Sequence, residues 1–223
     1  MEDEDKNNGK DRSCNFAPTG KVYQIEIQMS DEYAELRANP NQSIPNDKIF
    51  DVYWENWNVR GNLIADFVFC IYHNICKESV FETLQENFTG LKQAPLNFKK
   101  TPQEETAKNI KRLKWLPREF VPLVKIYTDV EIELLPQSTV TYEGECIKEI
   151  NGISKQQGNL IIPREKDKGF FFDKASVKSD FFKPTNTDFF LCTERVKEFC
   201  EEQKYENVLF LEVGDIVPLF GVD

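Results

Sequence analysis

The sequence predicts an α+β protein built from mixed or antiparallel sheets with a few short helices. Three observations predict this class: several segments alternate apolar and polar residues, others place apolar residues at helical spacing, and prolines, asparagines and glycines separate them. The chain has 223 residues, enough for one large domain or two small ones. Residues 1–20 have low hydrophobicity and no period, so we expect a flexible acidic tail before a single domain over residues 21–223.

The first half of the domain predicts two strands and a helix. Val22–Met29 alternates apolar and polar side chains, as a half-buried strand does. Lys77–Asn87 carries apolar residues at helical spacing. Leu91–Phe98 predicts a short strand, in which Pro95 indicates the edge of a sheet because proline lacks the N–H donor.

The middle of the chain predicts a helix and a hairpin. Pro102–Lys114 begins with the proline that suits a first helical turn. Val124–Leu134 alternates most regularly and predicts one long strand, with Ser138–Ile147 as its hairpin partner. The polar face of the long strand is predicted to carry Lys125, Tyr127, Asp129, Glu131 and Glu133.

The C-terminal part predicts three strands and a helix. Leu160–Ile162, Phe170–Phe172 and Val208–Val213 are short apolar segments that predict strands. Thr193–Gln203 predicts a helix, with Thr193 as a residue type that caps helix N-termini.

Two segments of the chain resemble each other. Ile75–Val80 and Leu191–Val196 share the pattern Cys-x-Glu-x-Val, and each is followed by a polar turn and an apolar segment. We expect each to form a strand–helix–strand unit with Val80 and Val196 buried. Chance is the alternative, because glutamate near a helix start is common in any helix. A true duplication would give two related lobes, about 21–120 and 121–223.

The second of these units extends into a recognisable pattern. Its residues include Gly169–Asp173, Phe181–Phe182 and Asp188–Lys197, and Asp66–Phe98 matches more weakly. This pattern resembles the C-terminal signature of a family of immunity proteins from bacterial polymorphic toxin systems. The first unit departs from it, since Lys77 stands where the second has Thr193. The resemblance implies a protein that binds and neutralises a toxin delivered between cells.

Composition narrows the function classes. With 28 basic and 38 acidic side chains, the formal net charge is −10, which disfavours nucleic acid and membrane surfaces and favours a basic partner. The chain has one histidine and no glycine-rich phosphate loop, and its six cysteines show no CxxC spacing, so we expect no metal and no cofactor. No signal peptide is recognisable at the N-terminus, so we expect a cytoplasmic protein with reduced thiols.

Three functions remain open at this point. The first is an immunity protein, not an enzyme, that binds a cognate toxin with a basic surface; its candidate partner-binding residues are Asp129, Glu131, Glu133, Glu201, Glu202 and Glu206. The second is a hydrolase that uses the carboxylates of Asp129, Glu131 or Glu133. The third is a nucleic-acid-binding module on the basic segment 92–125, where Trp115 and Phe120 lie among lysines and arginines.

Overall fold

The structure, a computed structural model, describes residues 20–38, 50–55, 61–71, 73–109, 113, 115–138, 140–142, 145–147 and 169–218. Its helices are α1 (Glu78–Asn87), α2 (Pro102–Thr106) and α3 (Glu194–Gln203). Its strands are β1 (Gly20–Ile27), β2 (Leu36–Ala38), β3 (Phe50–Trp54), β4 (Phe67–Cys70), β5 (His73–Lys77), β6 (Lys92–Phe98), β7 (Leu123–Tyr127), β8 (Glu131–Ile132), β9 (Val140–Tyr142), β10 (Glu145–Ile147), β11 (Phe170–Asp173), β12 (Phe181–Pro184), β13 (Leu191–Thr193) and β14 (Val208–Val217). Strands dominate, so the α+β class holds with a mostly β content.

Six strands close into a barrel in the order β2-β3-β6-β7-β5-β4. Its interior is packed with apolar side chains that include Leu36, Val52, Trp54, Val68 and Ile75. A second sheet of six strands has the order β11-β14-β1-β13-β12-β8. One face of that sheet covers a phenylalanine-rich cluster, and its other face shares a core with the barrel and with helices α1 and α3. This shared core joins both halves of the chain.

The barrel and the sheet repeat one topology. In the barrel, β5 and β6 flank β7 and run antiparallel to it, while β3 lies parallel to β6. In the sheet, β13 and β14 flank β1 and run antiparallel to it, while β11 lies parallel to β14. The short strands β2 and β8 add parallel to β4 and β12. The strands β1 and β7 are exchanged: each completes the sheet formed mainly by the other half of the chain.

The two halves of the chain also make equivalent hydrogen bonds to each other, each through an aspartate. The carboxylate of Asp180 accepts hydrogen bonds from the Thr89 backbone N–H (3.1 Å) and hydroxyl (3.2 Å), in the turn after α1. The carboxylate of Asp66 accepts one from the Glu206 backbone N–H (3.0 Å), in the turn after α3. Each aspartate precedes the first phenylalanine of its strand, β12 or β4, whose N–H donates to the same turn. These contacts fasten each helix–strand turn to the opposite half.

Both strand–helix–strand units are confirmed. β5-α1-β6 and β13-α3-β14 follow the predicted order, and Val80 and Val196 are buried on the inner faces of their helices. The helix bounds agree with the predictions to within one residue. Thr193 occupies the N-cap position of α3, as predicted. Its hydroxyl donates to the Asp180 carboxylate at 3.2 Å and makes no cap hydrogen bond.

Several predicted elements are wrong in extent or setting. The strand predicted for Val124–Leu134 is divided, because β7 belongs to the barrel and β8 to the other sheet. The predicted partner Ser138–Ile147 contains β9 and β10, which pair with each other instead. The helix predicted for Pro102–Lys114 ends at Thr106, since Ala107 takes an extended conformation. The strand predicted for Leu160–Ile162 and the tail residues 1–19 lie outside the described residues.

Two strands are more enclosed than their patterns predict. The prediction that Pro95 marks a sheet edge is wrong. Strand β6 has a neighbour on each side in the barrel: it pairs with β7 along Lys92–Pro95 and with β3 along Leu96–Phe98. Proline is tolerated there because it stands where pairing changes from one neighbour to the other. Strand β1 is predicted to be half-buried, but it lies between β14 and β13 in its sheet. The side chain of Gln24, on the face predicted to be polar, is also buried.

Candidate functional site

The first three predicted partner-binding residues do not share one strand face. Asp129 lies in the connection between β7 and β8 and pairs with Lys92. Glu131 lies on β8, with its carboxylate 3.0 Å from the ammonium of Lys183, and Glu133 follows β8 on the surface. The hydrogen bond from Lys92 lowers the pKa of the Asp129 carboxyl. Two of the three carboxylates are thus paired with lysines.

The other three predicted residues lie at one end of α3. Glu201 and Glu202 occupy its last turn and Glu206 the turn that follows, and all three are exposed. Glu201 pairs with Lys197 at 2.6 Å. The structure therefore separates the six predicted residues into two groups on different elements, rather than bringing them into one patch.

Two aromatic contacts join helices α1 and α3, and we call the glutamates of these two helices the acidic face. The rings of Phe88, after α1, and Phe199, on α3, are 5.2 Å apart, and the guanidinium of Arg195 lies over the Phe88 ring. Tyr205, after α3, hydrogen-bonds Thr83 of α1. The two helices carry seven glutamates against one arginine and one lysine: Glu78, Glu82, Glu86, Glu194, Glu198, Glu201 and Glu202 against Arg195 and Lys197. Beyond α3, the exposed Glu206 adds a negative charge and the exposed Lys204 a positive one.

A polar cluster lies inside the barrel, where the sequence predicts none. Lys125 was predicted to face solvent, but it is only 6% exposed, and its ammonium lies 4.9 Å from the centre of the Phe50 ring. The His73 ring packs against the same phenylalanine at 4.3 Å, and Cys70 stands opposite His73 in the β4–β5 hairpin. We call Lys125, His73, Cys70 and Phe50 the barrel cluster. The sequence offers one signal for it, a lysine between the apolar residues Val124 and Ile126.

Burial shifts the ionisation of this cluster. Desolvation lowers the pKa of the Lys125 ammonium from 10.5 to about 8. Desolvation, together with the positive charge of Lys125, lowers the pKa of His73 to about 3, so the imidazole is neutral at pH 7. Burial raises the pKa of the Cys70 thiol to about 12, which keeps it protonated. The cluster is therefore one ammonium beside a neutral imidazole and a neutral thiol.

An aromatic patch lies on the surface of the barrel. The rings of Phe98 and Phe120 flank the buried Trp54 at 5.5 and 6.2 Å, and Phe120 is 67% exposed. Contiguous exposed apolar patches mark interaction sites, whereas single exposed apolar side chains are ordinary. The neighbouring exposed residues include Lys99, Lys100 and Arg118. Trp115, which the nucleic-acid alternative places on a binding surface, packs against the barrel core, as does Leu113.

The cysteines that the structure describes in full are free thiols: Cys70, Cys76, Cys192 and Cys200. All are buried, and burial raises the pKa of each. Within the described ranges, no group of three or more His, Cys, Asp and Glu side chains is placed to hold a metal ion. Among the same residues, no helix has the length and apolar character needed to cross a membrane.

Comparison of the chain with known proteins leaves its family open. No protein-family model matches the sequence, and no curated protein matches it significantly.

Proposed function

We propose that this protein is an immunity protein that neutralises a secreted bacterial toxin by direct, stoichiometric binding. The observation that carries the proposal is the acidic face formed by α1 and α3, to which both halves of the chain contribute. The resemblance of residues 169–217 to immunity proteins supports the same function. The partner is a toxin domain with a basic surface.

Charge gives this surface a defined role. Toxins that act on nucleic acids carry basic surfaces, and complementary charge speeds the encounter of two proteins and excludes partners of the wrong sign. The acidic face stands on helices that pack against the shared core through Val80, Phe81, Val196 and Cys200. It is therefore held rigidly, so that little conformational entropy is lost on binding.

The test compares two triple charge reversals that change the net charge equally. One replaces Glu201, Glu202 and Glu206 with lysine, and the other replaces Asp129, Glu131 and Glu133. Association with the toxin domain encoded beside this gene is measured by stopped-flow fluorescence at several salt concentrations. We expect the α3 triple to slow association several-fold at low salt and less as salt screens the charges. The effect of the second triple should be smaller, because its residues lie on and beside β8 rather than on the helices of the acidic face.

Two outcomes would count against the proposal. Equal association rates for both triple variants and the wild type would show that the acidic face is not part of the interface. Inactivation of the toxin by substoichiometric amounts of this protein would exclude a binding mechanism.

The aromatic patch favours a second candidate function, binding of single-stranded nucleic acid. Exposed rings of Phe98 and Phe120 beside lysine and arginine side chains can stack on bases and contact phosphates. The test is oligonucleotide binding by fluorescence anisotropy over a range of salt. Phe120→Ala should weaken binding at least tenfold, while Leu63→Ala, which removes a similarly exposed apolar side chain, should not. Binding that is absent at low salt would reject this function.

A further inference from the structure

The barrel cluster contains a buried cation whose charge is not balanced by an ion pair. Lys125 stands directly opposite Ile75 in the β5–β7 pairing, so its side chain enters the apolar barrel interior. Among the described residues, no carboxylate lies within salt-bridge distance of it. The exposed Asp188 is the carboxylate that acts on it electrostatically, from farther away. An unpaired charge in such a place destabilises the fold.

His73 supplies a second unsatisfied group at the same place. Its Nδ1 atom is buried and has no hydrogen-bond partner among the described residues. His73 and Lys125 lie diagonally across the same strand pair, and both contact the ring of Phe50. Diagonal neighbours in a sheet are close enough for two long side chains to reach one small molecule.

We propose that Lys125 and His73 form a binding site for a small carboxylate inside the barrel. The ammonium supplies the balancing charge and donates hydrogen bonds to one carboxylate oxygen, and the neutral imidazole donates its ring N–H to the other. Phe50 and Ile75 provide an apolar wall that suits a short aliphatic group. A carboxylate suits the site better than a phosphate dianion, because only one cation is present to balance the charge.

The experiment titrates propionate into the intact protein and follows the Lys125 ammonium by NMR and thermal stability by calorimetry. Sodium chloride at matched ionic strength is the control. We expect saturable binding that raises the pKa of Lys125 and the melting temperature of the wild type. Lys125→Met should weaken binding at least tenfold, and His73→Phe should weaken it less. Lys183→Met removes a surface lysine and should leave binding unchanged.

Further arms identify the source and class of the ligand. A blocked glutamate peptide carries the same carboxylate on a backbone, so binding of the peptide but not of propionate would show that a partner's side chain occupies the site. Tighter binding of inorganic phosphate than of propionate would overturn the carboxylate assignment. Binding that persists in Lys125→Met, or no saturable response to either carboxylate, would overturn the site itself. None of these results depends on whether the protein binds a toxin.

Discussion

Lys125 shows how a residue can be misplaced by its own sequence pattern. Alternation along Val124–Leu134 assigns it to a polar, solvated face, and the same pattern assigns Val124 and Ile126 correctly to the core. The assignment fails because the barrel closes around the other face of β7. Closure of the barrel depends on strands from distant parts of the chain, so the local alternation of apolar and polar residues does not predict it. Residues on singly covered faces, such as Val80 and Val196, are predicted correctly.

The burial of Lys125 leads to a prediction about stability and pH. Its pKa is about 8 in the folded protein and 10.5 when unfolded. Between these values the unfolded state binds more protons, so stability rises with pH across that window. Below about pH 8 both states are charged, and the burial penalty is present in full. Lys125→Met should therefore stabilise the protein by about 3 kcal/mol at pH 7.

Urea unfolding at several pH values measures this effect. The advantage of the methionine variant should shrink as the pH rises from 8 and vanish above about 10.5, where the wild-type lysine is neutral in both states. Lys100→Met, at an exposed position, serves as the control and should show no such dependence. A methionine variant less stable than the wild type at pH 7 would contradict the assignment of an unbalanced charge.

The buried thiols should be unreactive while the protein is folded. Thiolate is the reactive form of cysteine, and burial raises the pKa of Cys70 and Cys200 to about 12 and that of Cys76 and Cys192 as well. We expect these four thiols to react with a thiol reagent near neutral pH only after unfolding in urea. Mass spectrometry of labelled peptides identifies each site. Rapid labelling of Cys192 in the native protein would contradict its complete burial.

At the scale of elements, helices α1 and α3 could be predicted because each has apolar residues at helical spacing and a glutamate in its first turn. The long strand could not. Its alternation continues through Thr128–Val130, yet the chain leaves the barrel there and enters the other sheet. The Thr128 hydroxyl donates to the Phe181 carbonyl, and the Lys183 N–H donates to the Val130 carbonyl. These partners lie 53 residues farther along the chain, so the break has no local signal.

The reciprocal aspartate contacts provide a matched pair of substitutions. Asp180 is 3% exposed and accepts hydrogen bonds from Thr89, Thr193 and Arg195. Asp66 is 22% exposed and also pairs with Lys77. Removing a buried acceptor leaves its donors unsatisfied, so Asp180→Ala should lower the free energy of unfolding by about 3 kcal/mol, against about 1 kcal/mol for Asp66→Ala. Equal losses of unfolding free energy in urea for the two variants would show that the stability contribution of these aspartates does not depend on their burial.

The turns that meet these aspartates provide a second matched pair. Gly90 and Asn207 both have positive φ, 85° and 62°. A Cβ atom at Gly90 would lie 2.2 Å from the Phe181 carbonyl oxygen, which is backbone and cannot move cheaply. Gly90→Ala should therefore destabilise the protein by about 2 kcal/mol or more. Asn207→Gly relaxes a positive φ but removes the hydrogen bond that the Asn207 amide donates to the Phe67 carbonyl (3.0 Å), so it should cost about 1 kcal/mol or less. Thermal unfolding measures both, and a neutral Gly90→Ala would contradict the close approach.

At the scale of the whole molecule, the exchange of β1 and β7 ties the halves together. Strand β1 lies between β13 and β14, and strand β7, which follows α2, lies between β5 and β6. The Cys-x-Glu-x-Val pattern shared at Cys76 and Cys192 predicts the two strand–helix–strand units, but it does not predict the exchange of β1 and β7. Strand partners are chosen by long-range packing, and either arrangement would show the same local alternation. The shared core draws apolar side chains from both halves, so neither half can bury its own apolar surface alone.

This arrangement predicts a single cooperative unfolding transition for the whole molecule. Ile75 in the barrel and Leu191 in the sheet occupy equivalent positions and are both fully buried. Replacing either with alanine should lower the free energy of unfolding by about 3 kcal/mol, because each substitution leaves a cavity. Trp54 and Trp115 are both in the barrel part of the core, so in a Trp57→Phe background tryptophan fluorescence follows that part, while far-UV circular dichroism follows all strands and helices. Leu191→Ala should shift both signals to the same lower urea midpoint, as Ile75→Ala does. If the sheet unfolds first and barrel fluorescence keeps its wild-type midpoint, the exchanged strands do not couple the two halves.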